Sequence, residues 1–198
     1  MEDSRTKQLR NGVLRAYTAA AEYPLGEHPF PVGRVFAESV GYPKEMLNTL
    51  PSMCSEAFAG VSNVAIFAEI PEAATVLDVG CGAGLDILIA SQRIGNKGKA
   101  IGIDFSEAML VRARQAADEA GAMNVEFRPA DAEGLPIEDH YADVVLVNGI
   151  FNLNPSRRVV FEELSRVVKP GGRVYAAELI LKEPLPEEIQ ASMENWFA

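Results

Sequence analysis

Val76-Leu77-Asp78-Val79-Gly80-Cys81-Gly82-Ala83-Gly84-Leu85-Asp86 is the stretch that decides the fold. It opens as a short β-branched apolar run from Thr75 to Val79, then alternates glycine with small residues until a helical pattern begins at Leu85. A run of this kind, closed by glycines, reads as a buried strand that turns into a helix. Glycines at 80, 82 and 84 let the backbone approach a ligand closely, and the helix start offers N–H groups with no partner of their own.

Outward from this loop the same pattern repeats. Leu85–Ile94 predicts a helix closed by Gly95, and Ala100-Ile101-Gly102-Ile103-Asp104 predicts a second strand. Ser106 stands at an N-cap position, and Met109, Leu110, Ala113, Ala116, Ala117 and Ala120 recur at helical spacing up to Gly121. Val125-Glu126-Phe127-Arg128 is a third strand, and residues 142–147, apolar on both faces, are a fourth. A helix from about Ser156 is stopped by Pro170-Gly171-Gly172, and Arg173 to Glu178 forms a fifth strand. Strands alternating with helices at short intervals imply right-handed crossovers and a doubly wound α/β domain on a mostly parallel sheet.

Asp104 carries the second functional signal. It ends the second strand, where a carboxylate can accept two hydrogen bonds from a ribose diol. Loop and carboxylate together point to a nucleoside-bearing ligand at the carboxyl edge of the sheet. The dinucleotide fingerprint Gly-x-Gly-x-x-Gly/Ala needs a small final residue. Counted from Gly80 and Gly82, that position is Leu85, which argues against a nicotinamide-dependent oxidoreductase. Asp78 argues the same way, since an anionic side chain beside the loop repels a diphosphate but accepts from an ammonium group.

Bulk properties limit the partners. Lys and Arg number 18 and Asp and Glu 28, a net charge of −10, which has the wrong sign for a phosphate backbone or an anionic membrane surface. Cys54 and Cys81 cannot build a disulfide framework and match no zinc spacing, and no carboxylate cluster has ligand spacing, so no metal is expected. The polar start Met1-Glu2-Asp3-Ser4-Arg5 lacks the apolar core of a signal peptide, and no stretch reaches the ~18 apolar residues of a membrane span. The chain reads as cytoplasmic. A composition shift near residue 71 divides it into residues 1–70, a helical cap or lid, and residues 71–198, the ligand-binding domain. The first part holds a helix over Ser4–Glu22, a Pro-rich connector from Tyr23 to Pro31, and short helices over residues 43–50 and 62–70. His28 lies in the connector, and His140 in a polar turn, an exposed position.

The loop Leu77-Asp78-Val79-Gly80-Cys81-Gly82-Ala83-Gly84 resembles the first motif of class I S-adenosylmethionine (SAM) methyltransferases, a Rossmann-like fold. Asp131-Ala132-Glu133-Gly134-Leu135-Pro136 and the passage from Phe161 to Arg173 resemble later parts of that fold, so that the likeness covers about residues 43–180. The resemblance implies SAM as cofactor, with S-adenosylhomocysteine as product. It implies that Gly80, Cys81, Gly82 and Gly84 form the loop around the methionine moiety, with Asp78 and Asp86 toward its amino end. Asp104 would take the ribose, Phe105 and Met109 would flank the nucleoside, Asp131 and Ala132 would meet the adenine, and Asn148 would sit near the sulfonium. Cys81 is expected to act as a small loop residue. Class I members usually continue into an antiparallel hairpin, which is expected to be absent or truncated here.

Within the class the chain resembles arsenite methyltransferases and the ubiquinone/menaquinone-biosynthesis methyltransferases. The arsenite-type passages are Gly41-Tyr42-Pro43-Lys44-Glu45-Met46-Leu47, Ala59-Gly60-Val61-Ser62-Asn63 and Asn148-Gly149-Ile150-Phe151-Asn152-Leu153-Asn154-Pro155. Arsenite enzymes carry a cysteine in each of the last two, where this chain has Val61 and Gly149. The preferred reading is a SAM-dependent methyltransferase acting on a small-molecule acceptor other than arsenite. Arsenite methylation is the alternative, and a non-catalytic SAM-binding protein is the alternative of another class. Transfer from a sulfonium asks mainly for proximity, so no catalytic residue is assigned. The N-terminal region is expected to act as a lid.

Overall fold

A computed structural model describes residues 4–183 of the chain. Five strands, β1 (Thr75–Val79), β2 (Lys99–Asp104), β3 (Val125–Pro129), β4 (Ala142–Asn148) and β5 (Val168–Ala177), form one sheet in the order β3-β2-β1-β4-β5. All four pairings are parallel. The order reverses between β2 and β4 around β1, and ligands bind above the carboxyl ends of the strands at such a switch point.

The strands are apolar on both faces because both faces are covered. On one face Val76, Ala100, Val144 and Leu146 pack with α6 (Leu85–Ile94) and with Leu110, Ala116 and Ala117 of α7 (Glu107–Glu119). On the other face Leu77, Val79, Ile101, Ile103, Val145 and Val147 meet Val160, Leu164 and Val167 of α8 (Arg157–Val167). Leu135 and Ile137, on the helix-free connection between β3 and β4, fill the rest of that second face. The predicted N-cap is present, since the Ser106 hydroxyl accepts from Met109 N (3.4 Å).

The N-terminal elements are α1 (Ser4–Glu22), α2 (Arg34–Ser39), α3 (Lys44–Leu47), α4 (Ser52–Glu56) and α5 (Val64–Phe67). Tyr42, Leu47, Leu50, Cys54, Phe58 and Val64 share the core of the first sheet face. The helix expected over residues 43–50 is broken: α3 ends at Leu47, and Pro51 stands directly before α4. Helix α5 is shorter than the expected 62–70, and α2 carries no signal in the sequence reading. Pro170-Gly171-Gly172 lies inside β5, which starts at Val168, five residues earlier than expected. An edge strand tolerates proline, and the pairing with β4 shifts register between Ala142 and Val144 to accommodate the segment. Expectations beyond residue 183, including the hairpin, lie outside the described residues.

Candidate functional site

Above the carboxyl ends of β1, β2, β3 and β4 opens a cavity enclosing about 1090 Å3, its open mouth included. Its floor is the glycine loop. Gly80 has φ +78°, and a Cβ there would lie 2.4 Å from Ile150 Cγ2, so only glycine allows Ile150 to seat on the loop. Gly82 lies over Met109, whose sulfur would be 4.0 Å from a Cβ at that position. Gly84 does not line the cavity. It precedes α6 and packs against α7, where a Cβ would come within 3.2 Å of Ala113 Cβ.

Three buried carboxyls stand behind the loop. Asp104 Oδ2 accepts from Gly82 N (2.9 Å) and its Oδ1 from Ser106 N (2.8 Å), so it ties the loop to the end of β2. Burial lifts its pKa to about 6 against the pull of these N–H donors. Asp78 is buried, has the Ile87 N–H near it as the one group that favours its charge, and has an Oδ2 with no hydrogen-bond partner. Burial, and after it the charges of Asp86 and Asp104, holds its carboxyl well above the usual range. Asp86 Oδ1 accepts from the Tyr42 hydroxyl (2.6 Å) and Ala65 N (2.9 Å), and its Oδ2 accepts from Asn148 Nδ2 (2.8 Å). Burial raises Asp86 as well, opposed by those donors.

Asn148 uses both ends of its amide. Its Oδ1 accepts from Val61 N (2.9 Å) and Ser62 N (3.1 Å), and its Nδ2 also donates to the Ser62 carbonyl (2.7 Å). Asp86 and Asn148 thus weld residues 59–65 to the tips of α6 and β4. Both line the cavity, but their polar atoms are engaged within the protein. Tyr42, the third member of this cluster, is missing from the site residues read from sequence. Its passage was quoted for resemblance alone, and nothing local pairs it with residues 44 and 106 positions away.

Phe105, Met109, Asp131 and Ala132 line the side of the cavity over β2 and β3. Phe105 is 40% exposed and Met109 1%, so Met109 is also part of the core. Arg10, Val13 and Tyr17 of α1 form a wall that sequence reasoning assigned only as a lid region. Arg10 pairs with Glu133 and approaches Asp131 (3.9 Å), joining α1 to the connection after β3. Tyr17 stacks on Phe30 at 4.6 Å, and burial together with the charges of Asp104 and Glu178 keeps its hydroxyl protonated. The Pro-rich connector therefore braces α1 from behind, and α1 itself covers the cavity.

The remaining wall, on the β4 side, is mostly apolar, formed by Ala57, Phe58, Ala59, Gly60, Ile150, Leu153 and Pro155 with Asn154 as its polar member. Cys54 also lines it, buried, with its thiol donating to Pro51 O (3.0 Å) and its pKa pushed up to about 12 by burial. Cys81 is likewise buried and raised, and its sulfur lies beside Phe127 under the loop, near Gly102. Neither thiol is poised as a nucleophile. Val61 and Gly149 touch, since a Cβ at 149 would lie 3.0 Å from Val61 Cγ1. His140 is exposed, at φ +54°, and is not among the residues lining the cavity. Among the described residues no group of three or more His, Cys, Asp or Glu is placed to hold a metal ion, and no helix is long and apolar enough to cross a membrane.

Comparison with known proteins agrees with this architecture. The chain is 38% identical over 136 residues to an arsenite methyltransferase of Halobacterium salinarum, matching 69% of this chain and 35% of that protein. It is 39% identical over 104 residues to a demethylmenaquinone methyltransferase of Lactococcus lactis, matching 52% of this chain and 41% of that one. The chain thus spans less than half the length of these relatives. Among solved structures, an arsenic(III) S-adenosylmethionine methyltransferase from Chlamydomonas reinhardtii matches 85% of this chain and 57% of its own, with TM-score 0.62 and 27% identity. The YcgJ protein of Bacillus subtilis matches 57% of this chain and 47% of its own, with TM-score 0.53 and 31% identity. A methyltransferase domain family matches residues 70–197, and with sheet order, glycine loop and relatives in agreement, the chain belongs to that family.

Proposed function

We propose that this chain binds S-adenosylmethionine and transfers its methyl group to a small-molecule acceptor that is not arsenite. The observation that carries the cofactor is Asp78, a buried carboxyl with one oxygen left without a donor beside a glycine loop. That site suits a cationic ammonium and disfavours a diphosphate. Asp104 stands ready for a ribose diol, Phe105 and Met109 supply apolar surface for the nucleoside, and Asp131 is available to an adenine amino group. Ala132, Gly80, Cys81 and Gly82 add backbone and small side chains along the same path. When bound, S-adenosylmethionine supplies a methyl group already activated by a sulfonium. The residues on the β4 side, Phe58, Ile150 and Leu153, exclude water and orient an acceptor, which is what an in-line displacement requires.

The acceptor reading rests on Val61 and Gly149. They touch, and they stand where the arsenite enzymes carry cysteines, so two positions suited to a thiolate pair hold an alkyl group and bare backbone. A soft trivalent arsenic has little affinity for either. The test uses two measurements on the longest available form of the protein. S-adenosylhomocysteine should raise the melting temperature and NAD should not. With S-adenosylmethionine, glutathione and arsenite present, no methylated arsenic should form. Stabilisation by NAD alone would end the cofactor reading. Methylated arsenic that disappears on Cys54→Ser would make arsenite the acceptor.

A further inference from the structure

The three carboxyls behind the loop are not equivalent. Asp86 engages Tyr42, Ala65 and Asn148, and Asp104 engages Gly82 and Ser106. Asp78 is 1% exposed, and its Oδ2 has no donor at all. The titratable groups that act on it are Asp86 of α6 and Asp104 of β2, both acidic. It is felt in turn by the Tyr42 hydroxyl and the Cys81 thiol, which burial keeps protonated and neutral. Only the Ile87 N–H favours its charge. An ionised carboxylate there would be desolvated, half-satisfied and repelled by two neighbours, and a group so placed keeps its proton until a cation replaces it.

We propose that Asp78 is a carboxylic acid in the free protein, and that the ammonium of the cofactor's amino-acid moiety enters by displacing the Asp78 proton to solvent. The inference rests on the cofactor reading given above. The step balances simply: the O–H bond of Asp78 breaks, its electron pair stays on the carboxylate, and the proton passes to water. The ammonium keeps its own three protons and supplies the donor that Oδ2 lacks. Cofactor binding is then a proton-for-cation exchange at a buried site, and the loop never holds a bare carboxylate while empty.

Isothermal titration of S-adenosylhomocysteine and of 5′-methylthioadenosine, in buffers of different ionisation enthalpy, tests this directly. The second ligand keeps the nucleoside and lacks the amino-acid moiety, so any proton change at Asp104 enters both titrations and subtracts out. At about pH 6.5 the free amino group is an ammonium, and S-adenosylhomocysteine should release about one proton more than 5′-methylthioadenosine. If Asp78 were ionised beforehand, the two ligands would release the same number of protons at about pH 6.5. That pattern overturns the inference and leaves the cofactor reading standing. Binding of neither ligand overturns both. Asp78→Asn should abolish the difference, and should that variant fail to fold, the two wild-type titrations decide the matter alone.

Discussion

Replacing Asp104 by Asn separates two tasks that this side chain performs. In the free protein its two oxygens accept from Gly82 N (2.9 Å) and Ser106 N (2.8 Å). Asn keeps one acceptor oxygen and puts an NH2 group where the other stood, leaving one N–H of a buried pair unsatisfied. That costs about 1–3 kcal/mol. Against this, the carboxyl is 7% exposed and its pKa is raised to about 6 by burial. A group whose folded pKa lies above its unfolded value of about 3.9 contributes stability that is complete below that value and lost as pH rises through the folded pKa. Between about pH 5 and about pH 7.5 the wild type loses roughly one pKa unit's worth through Asp104, about 1.4 kcal/mol, and the variant loses none of it. Urea unfolding at the two pH values should therefore show the variant's deficit shrinking by about that amount at the higher pH. Calorimetry should show S-adenosylhomocysteine binding weakened by about 2–4 kcal/mol, a factor of about 30 to 1000, since a ribose can donate two charge-assisted bonds to the carboxylate. A stability deficit that ignores pH would refute the burial argument. An unchanged dissociation constant would remove Asp104 from the site.

Gly80→Ala must hold a side chain at φ +78° against Ile150, so it should destabilise by about 2 kcal/mol or more and abolish the thermal shift given by S-adenosylhomocysteine. A variant with wild-type melting and ligand response would show that Ile150 moves freely. Tyr42→Phe removes the 2.6 Å bond to the buried Asp86 carboxylate and should cost about 1.5–3 kcal/mol in chemical denaturation, with hydrogen exchange rising first around residues 61–65. Unchanged exchange there would mean that Asn148 and Asp86 hold the passage without the Tyr42 hydroxyl. The double variant Val61→Cys with Gly149→Cys should bind phenylarsine oxide where the wild type does not, despite about 1–2 kcal/mol of strain at φ +81°. A folded double variant with no affinity would disprove that these two positions form the trap.

The sheet and the glycine-loop side of the cavity are legible in the sequence because their signals are local. A strand that ends in glycines, a carboxylate at the next strand tip and a Ser N-cap each occupy a few consecutive residues, and β1, β2, α6 and α7 appear within a residue of where these place them. Where a signal needs distant partners, sequence reading falls short. Asp86 and Asn148 carry the right chemistry for a ligand, yet their atoms are drawn inward by Tyr42, Val61, Ser62 and Ala65, which no spacing rule connects to them. Arg10 and Tyr17 reach the cavity only because α1 packs across it. Pro170-Gly171-Gly172 does follow the end of α8, but it lies inside β5 rather than before it, because a helix stop and an edge-strand irregularity draw on the same residues and only the pairing with β4 distinguishes them.

The hydrogen bonds also divide the cavity into a part that is built and a part that is docked. The glycine loop is continuous with β1 and α6 and is tied from below by Asp104. The wall at Ala59 and Gly60 is held to the sheet chiefly by side chains, with Asn148 bonding to the adjoining Val61 and Ser62 while Asp86 fixes the start of α5 at Ala65. A wall attached in this way can change its exposed residues without disturbing the backbone that receives the cofactor. Val61 against Gly149 is such a case, with an alkyl group beside bare backbone. The two parts meet through Ile150, which leaves the β4 tip and seats on Gly80. On the proposed function, acceptor choice follows from what the docked layer presents, and Ile150, seated on Gly80, is the contact through which a change in that layer reaches the loop.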